Sequence, residues 1–236
     1  MPTLFVTGHL RNFYSNPTPF IERHLSRFLC QKRVIFTHEE LGWWTGDMDK
    51  TMSADTSKVN LQKLMDLEFF DAVDFIDLST RDLLLSQYKT LPVCKERPYY
   101  RESSYKMQIL HRYMALNQFL STQPSLSDDI VILTRPDIFP HKPSSIDYIN
   151  DSISRFSKTD KDLLVFSQMK DHLHDGVMIG KSSHLLRLFS HEVYNTRSFV
   201  DTHKNLFDIC QTLFDSEIVR LDESFYYANS PNMRQY

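Results

Sequence analysis

Arg135 and Asp137 flank Pro136 directly behind Ile130-Val131-Ile132-Leu133-Thr134, the most strand-like run of the chain. A guanidinium delivered there can grip a phosphate, while a carboxylate can hold a divalent cation or a sugar hydroxyl. The competing reading is a local ion pair that ties down a turn. A second cluster is His172-Leu173-His174-Asp175-Gly176. In an extended chain His172 and His174 share one face and Asp175 takes the other, so the imidazole pair or the acid lines a site, but not all three. Imidazole with carboxylate binds Mn2+ or Zn2+, and a carboxylate alone serves as a general base. Against this stands a plain polar loop entering Gly176-Val177-Met178-Ile179-Gly180, the better account of the two histidines.

Other polar groups also follow apolar runs. The first run delivers Gly8, His9 and Arg11, the second His38-Glu39-Glu40, the third Asp77, and the fifth Ser167-Gln168. Ordinary polar turns explain about half of such a set. Asp47-Met48-Asp49 is a DxD tripeptide, but it follows Trp43-Trp44-Thr45-Gly46 in a polar loop rather than a buried strand, and chance produces it often. Trp43 and Trp44 either stack on a base or sugar ring or simply pack. No GxGxxG, GxxxxGK[ST] or G-x-S-x-G stretch occurs, so a dinucleotide fingerprint, a P-loop and a nucleophile elbow are all missing.

Positioning these groups requires a scaffold, and the sequence supplies one. Strand-length apolar runs recur at Leu4 to Thr7, Arg33 to Thr37, Val73 to Leu78, Ile130 to Thr134, Leu163 to Ser167 and Val177 to Ile179. Several are too apolar to be half exposed, which predicts a mostly parallel sheet covered on both faces. Helices are predicted between them: a crossover whose apolar face carries Phe20, Ile21, His24, Leu25, Phe28 and Leu29, a long one from Ser103 to Leu120, and others over Ser144 to Phe156, Ser182 to Asn195 and about Val200 to Phe214. The expected fold class is α/β, with residues 1–236 forming a single domain around a mostly parallel sheet flanked by helices. In such sheets ligands bind outside the carboxyl ends of the strands, where the polar groups above fall.

Composition narrows the setting. The chain has 236 residues, 41% hydrophobic and 24% charged, with a formal net charge of -3. That balance gives no electrostatic footprint for nucleic acid. No apolar run is long enough to span a membrane, and the first residues do not read as a signal peptide. Cys30, Cys94 and Cys210 are widely separated and fit neither a disulfide framework nor a CxxC zinc site. A reducing, cytoplasmic setting is expected.

Taken in order, "LFVTGHLRNF", "SYKMQILHRYMALNQF" with "DIVILTRPDIFPHKP", and "HDGVMIGKSSHLLRLFS" resemble a loosely defined bacterial and viral group of glycosyltransferase-like proteins of the GT-A type. Its Gly-x-x-Arg, Arg-x-Asp and Asp-to-Gly features fall on Gly8 and Arg11, on Arg135 and Asp137, and on Asp175 and Gly180. The resemblance implies a nucleotide-diphospho-sugar donor, a glycan or other hydroxyl acceptor, and Mn2+ or Mg2+ bridging the diphosphate. Donor contacts are expected from Gly8, Arg11 and Arg135 on that resemblance and from His9, His38, Trp43 and Trp44 on their positions, and metal contacts from Asp137 with His172 or His174. Asp175 is then the expected base, with Asp137 as the alternative. The sequence departs from the two-acid motif, because Arg135 stands where the first acid is usual. Two other readings use the same crevice: a nucleotidyl or phosphoryl transferase, and a non-catalytic carbohydrate-binding protein of the same fold.

Overall fold

Burial explains which runs become strands. Leu4, Phe5, Val6, Val131, Ile132, Leu163, Leu164, Val165 and Phe166 are all fully buried, each removing apolar surface worth about 1.5–3 kcal/mol from water. In the computed structural model the chain is described over residues 1–41, 56–91, 102–126, 128–136, 138–140, 144–169, 172–197, 202–220 and 225–227. Within these, the side chains of residues 102–105, 139–140, 144–145, 168–169, 172, 174–175, 202 and 225–227 are not described.

The elements run β1 (Thr3–Gly8), α1 (Arg11–Ser15), α2 (Thr18–Arg23), β2 (Lys32–Thr37), α3 (Leu61–Met65), β3 (Ala72–Phe75) and α4 (Arg81–Gln87). There follow α5 (Glu102–Thr122), β4 (Ile130–Thr134), β5 (Ile138–Pro140), α6 (Ser144–Phe156), β6 (Leu163–Met169) and β7 (His172–Lys181). The chain continues through α7 (Ser182–Leu188), α8 (His191–Tyr194), α9 (Thr202–Thr212), β8 (Ser216–Arg220) and β9 (Phe225–Tyr227). Among the described residues seven strands share one sheet in the order β3-β2-β1-β4-β7-β6-β8, and β5 pairs with β9. The pairs β1–β2, β2–β3 and β6–β8 are parallel, while β6–β7 is antiparallel. The fold is therefore a mixed α/β arrangement with a mostly parallel sheet flanked by helices, as the sequence predicts. Among the described residues no helix is long and apolar enough to cross a membrane.

Contacts divide the chain into two compact units. The first comprises residues 1–75, 132–159 and 221–236. Here the expected crossover helix is divided into α2 and a 3-10 turn over Leu25–Arg27, with α1 preceding it. The prolines sit where a helix tolerates them, Pro17 at the N-cap of α2 and Pro19 in its first turn, and the break comes at His24, whose φ of -128° and ψ of -73° leave the helical region. Phe20, His24, Leu25 and Phe28 are buried as expected, but Leu29 is 65% exposed. Past Phe28, whose ψ is 127°, the chain is no longer helical, so the helical spacing that placed Leu29 inward does not apply. Its backbone is anchored instead, Leu29 N–H donating to Asn150 Oδ1 at 3.2 Å.

The second unit comprises residues 76–131 and 160–220. The predicted strand at Val177 to Ile179 belongs to the ten-residue β7, which includes His172, His174 and Asp175 in its backbone. Backbone pairing with β6, through two register shifts, carries the strand across a polar stretch that side-chain pattern reads as a loop. Gly180 is a packing glycine: a Cβ there would stand 2.6 Å from Leu163 Cδ2 and 2.9 Å from Asp162 O. The helix expected over Ser182 to Asn195 is two, because extended Ser190 starts α8, its hydroxyl accepting from Val193 N–H at 3.4 Å.

Tyr88 and Cys210 are buried in this unit, Tyr88 donating its hydroxyl proton to Phe189 O at 2.8 Å. Burial pushes the Cys210 thiol from 9.0 up to about 12, and it raises the Tyr88 phenol as well. Both groups are favoured neutral in the fold, so the unfolded chain releases these protons first as pH rises. Stability is then complete below the ordinary thiol value and falls as pH climbs through that value towards 12. Urea midpoints measured from pH 8 to 11 should decrease, and Cys210→Ala should flatten the decline.

Candidate functional site

The register of β1 and β2 builds the described part of the site in the first unit. These strands pair in parallel with Gly8 opposite Thr37. The next residues, His9 and His38, therefore leave the sheet side by side. Their rings stack with centroids 4.0 Å apart and planes 19° from parallel. Neither residue alone signals this contact in the sequence, but two parallel strands ending together on histidine do. His9 Nδ1 lies 3.5 Å from Glu40 O and donates to it in the tautomer that carries the proton on Nδ1. His38 is buried, and Thr37 Oγ1 donates to Gly8 O at 2.9 Å, fastening the two strand ends.

Gly8 takes φ 130°, a region that side chains rarely adopt, and a Cβ on it would lie 3.7 Å from Pro136 Cδ. The contact distance is ordinary, so glycine is required by backbone conformation and not by space. It also shows that the exits of β1 and β4 are neighbours, bringing the Gly-x-x-Arg and Arg-x-Asp stretches together. Below the β4 exit, buried His24 places Nε2 3.3 Å from Oγ1 of buried Thr134. That pair fixes the last residue of β4 before Arg135. Arg135 and Arg11 are both half-buried.

Arg11 is one of two described non-glycine residues with positive φ, at 43°. It opens α1, and its N–H donates to Leu41 O at 3.4 Å. A left-handed conformation costs a side-chain-bearing residue about 1–2 kcal/mol. Opposite mutations at the two ends of this turn should thus have opposite effects. Gly8→Ala is expected to lose about 1–3 kcal/mol. Arg11→Gly should gain up to about 1 kcal/mol after the extra entropy of the unfolded glycine is subtracted. Denaturant titration of the two variants checks both signs.

Two acids at the β2 exit are occupied by one lysine. Lys58 Nζ lies 3.1 Å from Glu40 Oε1 and 3.6 Å from Glu39 Oε2, contacts that raise its pKa above 10.5. Leu41 N–H donates to Ser57 O and Val59 N–H to Glu39 O, pinning both ends of the intervening segment. Trp43, Trp44, Asp47 and Asp49, which the segment carries, lie outside the described residues. After β3, Asp77 forms a local turn in the second unit, and hydrogen bonds from Ser79 hold its carboxyl below the ordinary value. The plain turn reading holds for Asp77.

Asp137 also lies outside the described residues. His172, His174 and Asp175 have their backbone in β7, in the second unit, and their side chains are not described. Among the described residues no three His, Cys, Asp or Glu side chains group as metal ligands would. At the β1, β2 and β4 exits the described residues present guanidinium and imidazole beside the lysine-paired carboxylates of Glu39 and Glu40. Guanidinium groups suit phosphate oxygens, which they engage with paired hydrogen bonds.

No family model matches the chain, and no curated protein matches it in sequence. Among solved structures it is similar to a Bacillus anthracis protein assigned as a glucose-1-phosphate thymidylyltransferase, in complex with sucrose. That likeness has a TM-score of 0.52 at 9% identity and covers 100% of this chain and 92% of the other. The chain is also similar to UTP-bound UGPase from Acinetobacter baumannii, with a TM-score of 0.47 at 9% identity over 98% and 90% of the two chains. Apo mouse xyloside xylosyltransferase 1 gives a TM-score of 0.46 at 11% identity over 93% and 85%. The first likeness is one of fold, and a fold hosts many reactions.

Proposed function

We propose that the chain is a glycosyltransferase that moves a sugar from a nucleotide-diphospho-sugar to a hydroxyl of a glycan or other acceptor, with residues 1–236 acting as one catalytic domain. The observation that carries this reading is the meeting of the β1 and β4 exits at Gly8 and Pro136, which gathers the stretches bearing Arg11 and Arg135. Transfer breaks the bond between the sugar carbon and the diphosphate oxygen, forms a bond to the acceptor oxygen, and sends the acceptor proton to a carboxylate. Charge developing on the departing diphosphate is met by Arg11 and Arg135, groups that keep their charge at every working pH. The stacked His9 and His38 border the donor, and Trp43 and Trp44 are assigned to its base or sugar ring. Asp175 is the proposed base and Asp137 the alternative.

Mn2+ or Mg2+ held by Asp137 with His172 or His174 belongs to the same proposal as an experimental question. EDTA is expected to slow transfer and added Mn2+ to restore it; a rate unchanged by EDTA would assign the diphosphate charge to the arginines alone. A second reading, nucleotidyl transfer, is favoured by the likeness to the assigned thymidylyltransferase at a TM-score of 0.52. The released product separates them. Incubation with UDP-glucose, dTDP-glucose or GDP-mannose and an oligosaccharide mixture should release the nucleoside diphosphate. Pyrophosphate released from UTP or dTTP with glucose 1-phosphate would decide for the second reading. Thermal stabilisation by a nucleotide sugar with neither product would leave a binding protein of the same fold.

A further inference from the structure

His9 and His38 stack face to face where β1 and β2 end together, with ring centroids 4.0 Å apart and planes 19° from parallel. Two like charges at that spacing repel strongly, so the stack carries one added proton and not two. Burial decides which ring takes it. His38 is 7% exposed, where a cation loses its hydration, whereas His9 is only half-buried. A neutral His38 then offers its ring face to an imidazolium, as aromatic faces do to cations. With His9 Nδ1 donating to Glu40 O, 3.5 Å away, the added proton goes to Nε2. The charged groups around the stack are Arg11 in α1, Arg135 after β4, and Glu39 and Glu40 after β2, the last two paired with Lys58. Among these described residues the balance is positive, which disfavours a proton on His9 until an anion arrives.

We infer that His9 binds the donor diphosphate as an imidazolium, taking up a proton as the donor enters, with His38 as its neutral stacking partner. The inference rests on the donor site proposed above and adds to it a proton that arrives with the substrate. A doubly charged diphosphate reverses the local balance and supplies the partner that makes the charged ring favourable. Linkage fixes the sign. Donor affinity is full below the pH at which His9 titrates in the free protein, and it falls until pH passes the value His9 has with donor bound. Arg11 and Arg135 keep their charge throughout, so the pH dependence belongs to the imidazole.

Calorimetric titration with UDP-glucose, dTDP-glucose and GDP-mannose, each in buffers of different ionisation enthalpy at constant Mg2+, counts the protons. The phosphates of these donors are diesters and carry no proton near neutrality, so the protons counted are the protein's. At about pH 7.5, where an ordinary imidazole is mostly neutral, binding should take up about 0.5 proton or more per donor, and Kd should rise about tenfold from pH 6 to pH 8. His9→Phe keeps a ring against His38 but holds no proton, and it should bring the uptake to about zero and flatten the pH dependence. His9→Asn gives the same two readouts should the phenylalanine disturb the strand exit. His38→Phe presents a neutral ring face in the same place and should retain at least about half of the uptake. Donor binding without proton uptake in the parent, unchanged uptake in the His9 variants, or loss of uptake in His38→Phe at an unchanged melting temperature would each overturn the inference and leave the donor site standing. Binding of none of the three donors would overturn both.

Discussion

Arg135→Ala is expected to lower kcat/KM for the nucleotide-sugar donor by about 100- to 1,000-fold, the loss typical when one preorganised charge-stabilising group is removed. The melting temperature should stay close to that of the parent. Arg135 is half-buried and follows β4, whose buried residues Val131, Ile132, Leu133 and Thr134 hold the strand without it. Lysine should restore only part of the activity, because a point charge does not reproduce the paired hydrogen bonds of a guanidinium to phosphate. Steady-state kinetics with donor varied at saturating acceptor reads the effect. Equal losses in kcat and kcat/KM place the interaction in the transition state, whereas a rise in KM alone places it in donor binding. An alanine variant with full kcat/KM would remove Arg135 from the site. Combining Arg135→Ala with Arg11→Ala should cost less than the product of the single losses if both side chains serve one diphosphate.

The scaffold that holds Arg135 was legible in the sequence because burial and pattern agree there. Ile130 to Thr134 and Ser144 to Phe156 reproduce β4 and α6 residue for residue, one a short run of buried apolar residues, the other a strongly amphipathic stretch opened by serine. The misses share a physical cause, which is that pairing and backbone geometry decided them. The strand β8 is at most half-buried along its length and owes its existence to parallel pairing with β6. Both β5 and β9 are three residues long and define each other. The broken crossover turned on the backbone of His24, which leaves the helical region inside an apolar stripe that reads as continuous. At the site the same division holds. Strand exits could be named from sequence, but the stacking of His9 on His38 depends on the Gly8–Thr37 register, and the strain at Arg11 on a positive φ that the Gly-x-x-Arg stretch does not signal.

Asp175→Asn and Asp137→Asn should separate the proton acceptor from its alternative. Asparagine keeps the shape of the side chain while removing its basicity, so a general base replaced this way loses about 100- to 10,000-fold in kcat. If Asp175 is the base, its variant keeps the parent's donor affinity, measured by calorimetry with an unreacted nucleotide sugar, and loses turnover. Its pH–rate profile should also lose the acidic limb that reports deprotonation of the base. Asp137, assigned to the donor side, should lose donor affinity together with rate and retain that limb. The reverse pattern would exchange the two roles, and full turnover in both variants would refute the assignment of either carboxylate. Position in the chain makes the stability control necessary: Asp175 follows His174 within β7 at the register shift between Leu173 and Met178, where no β6 residue is in register with it, so an unchanged melting temperature has to exclude a shifted strand. A variant with unchanged thermal stability and unchanged donor binding but collapsed kcat can then be read as missing a proton acceptor, because binding and fold have been measured separately from chemistry.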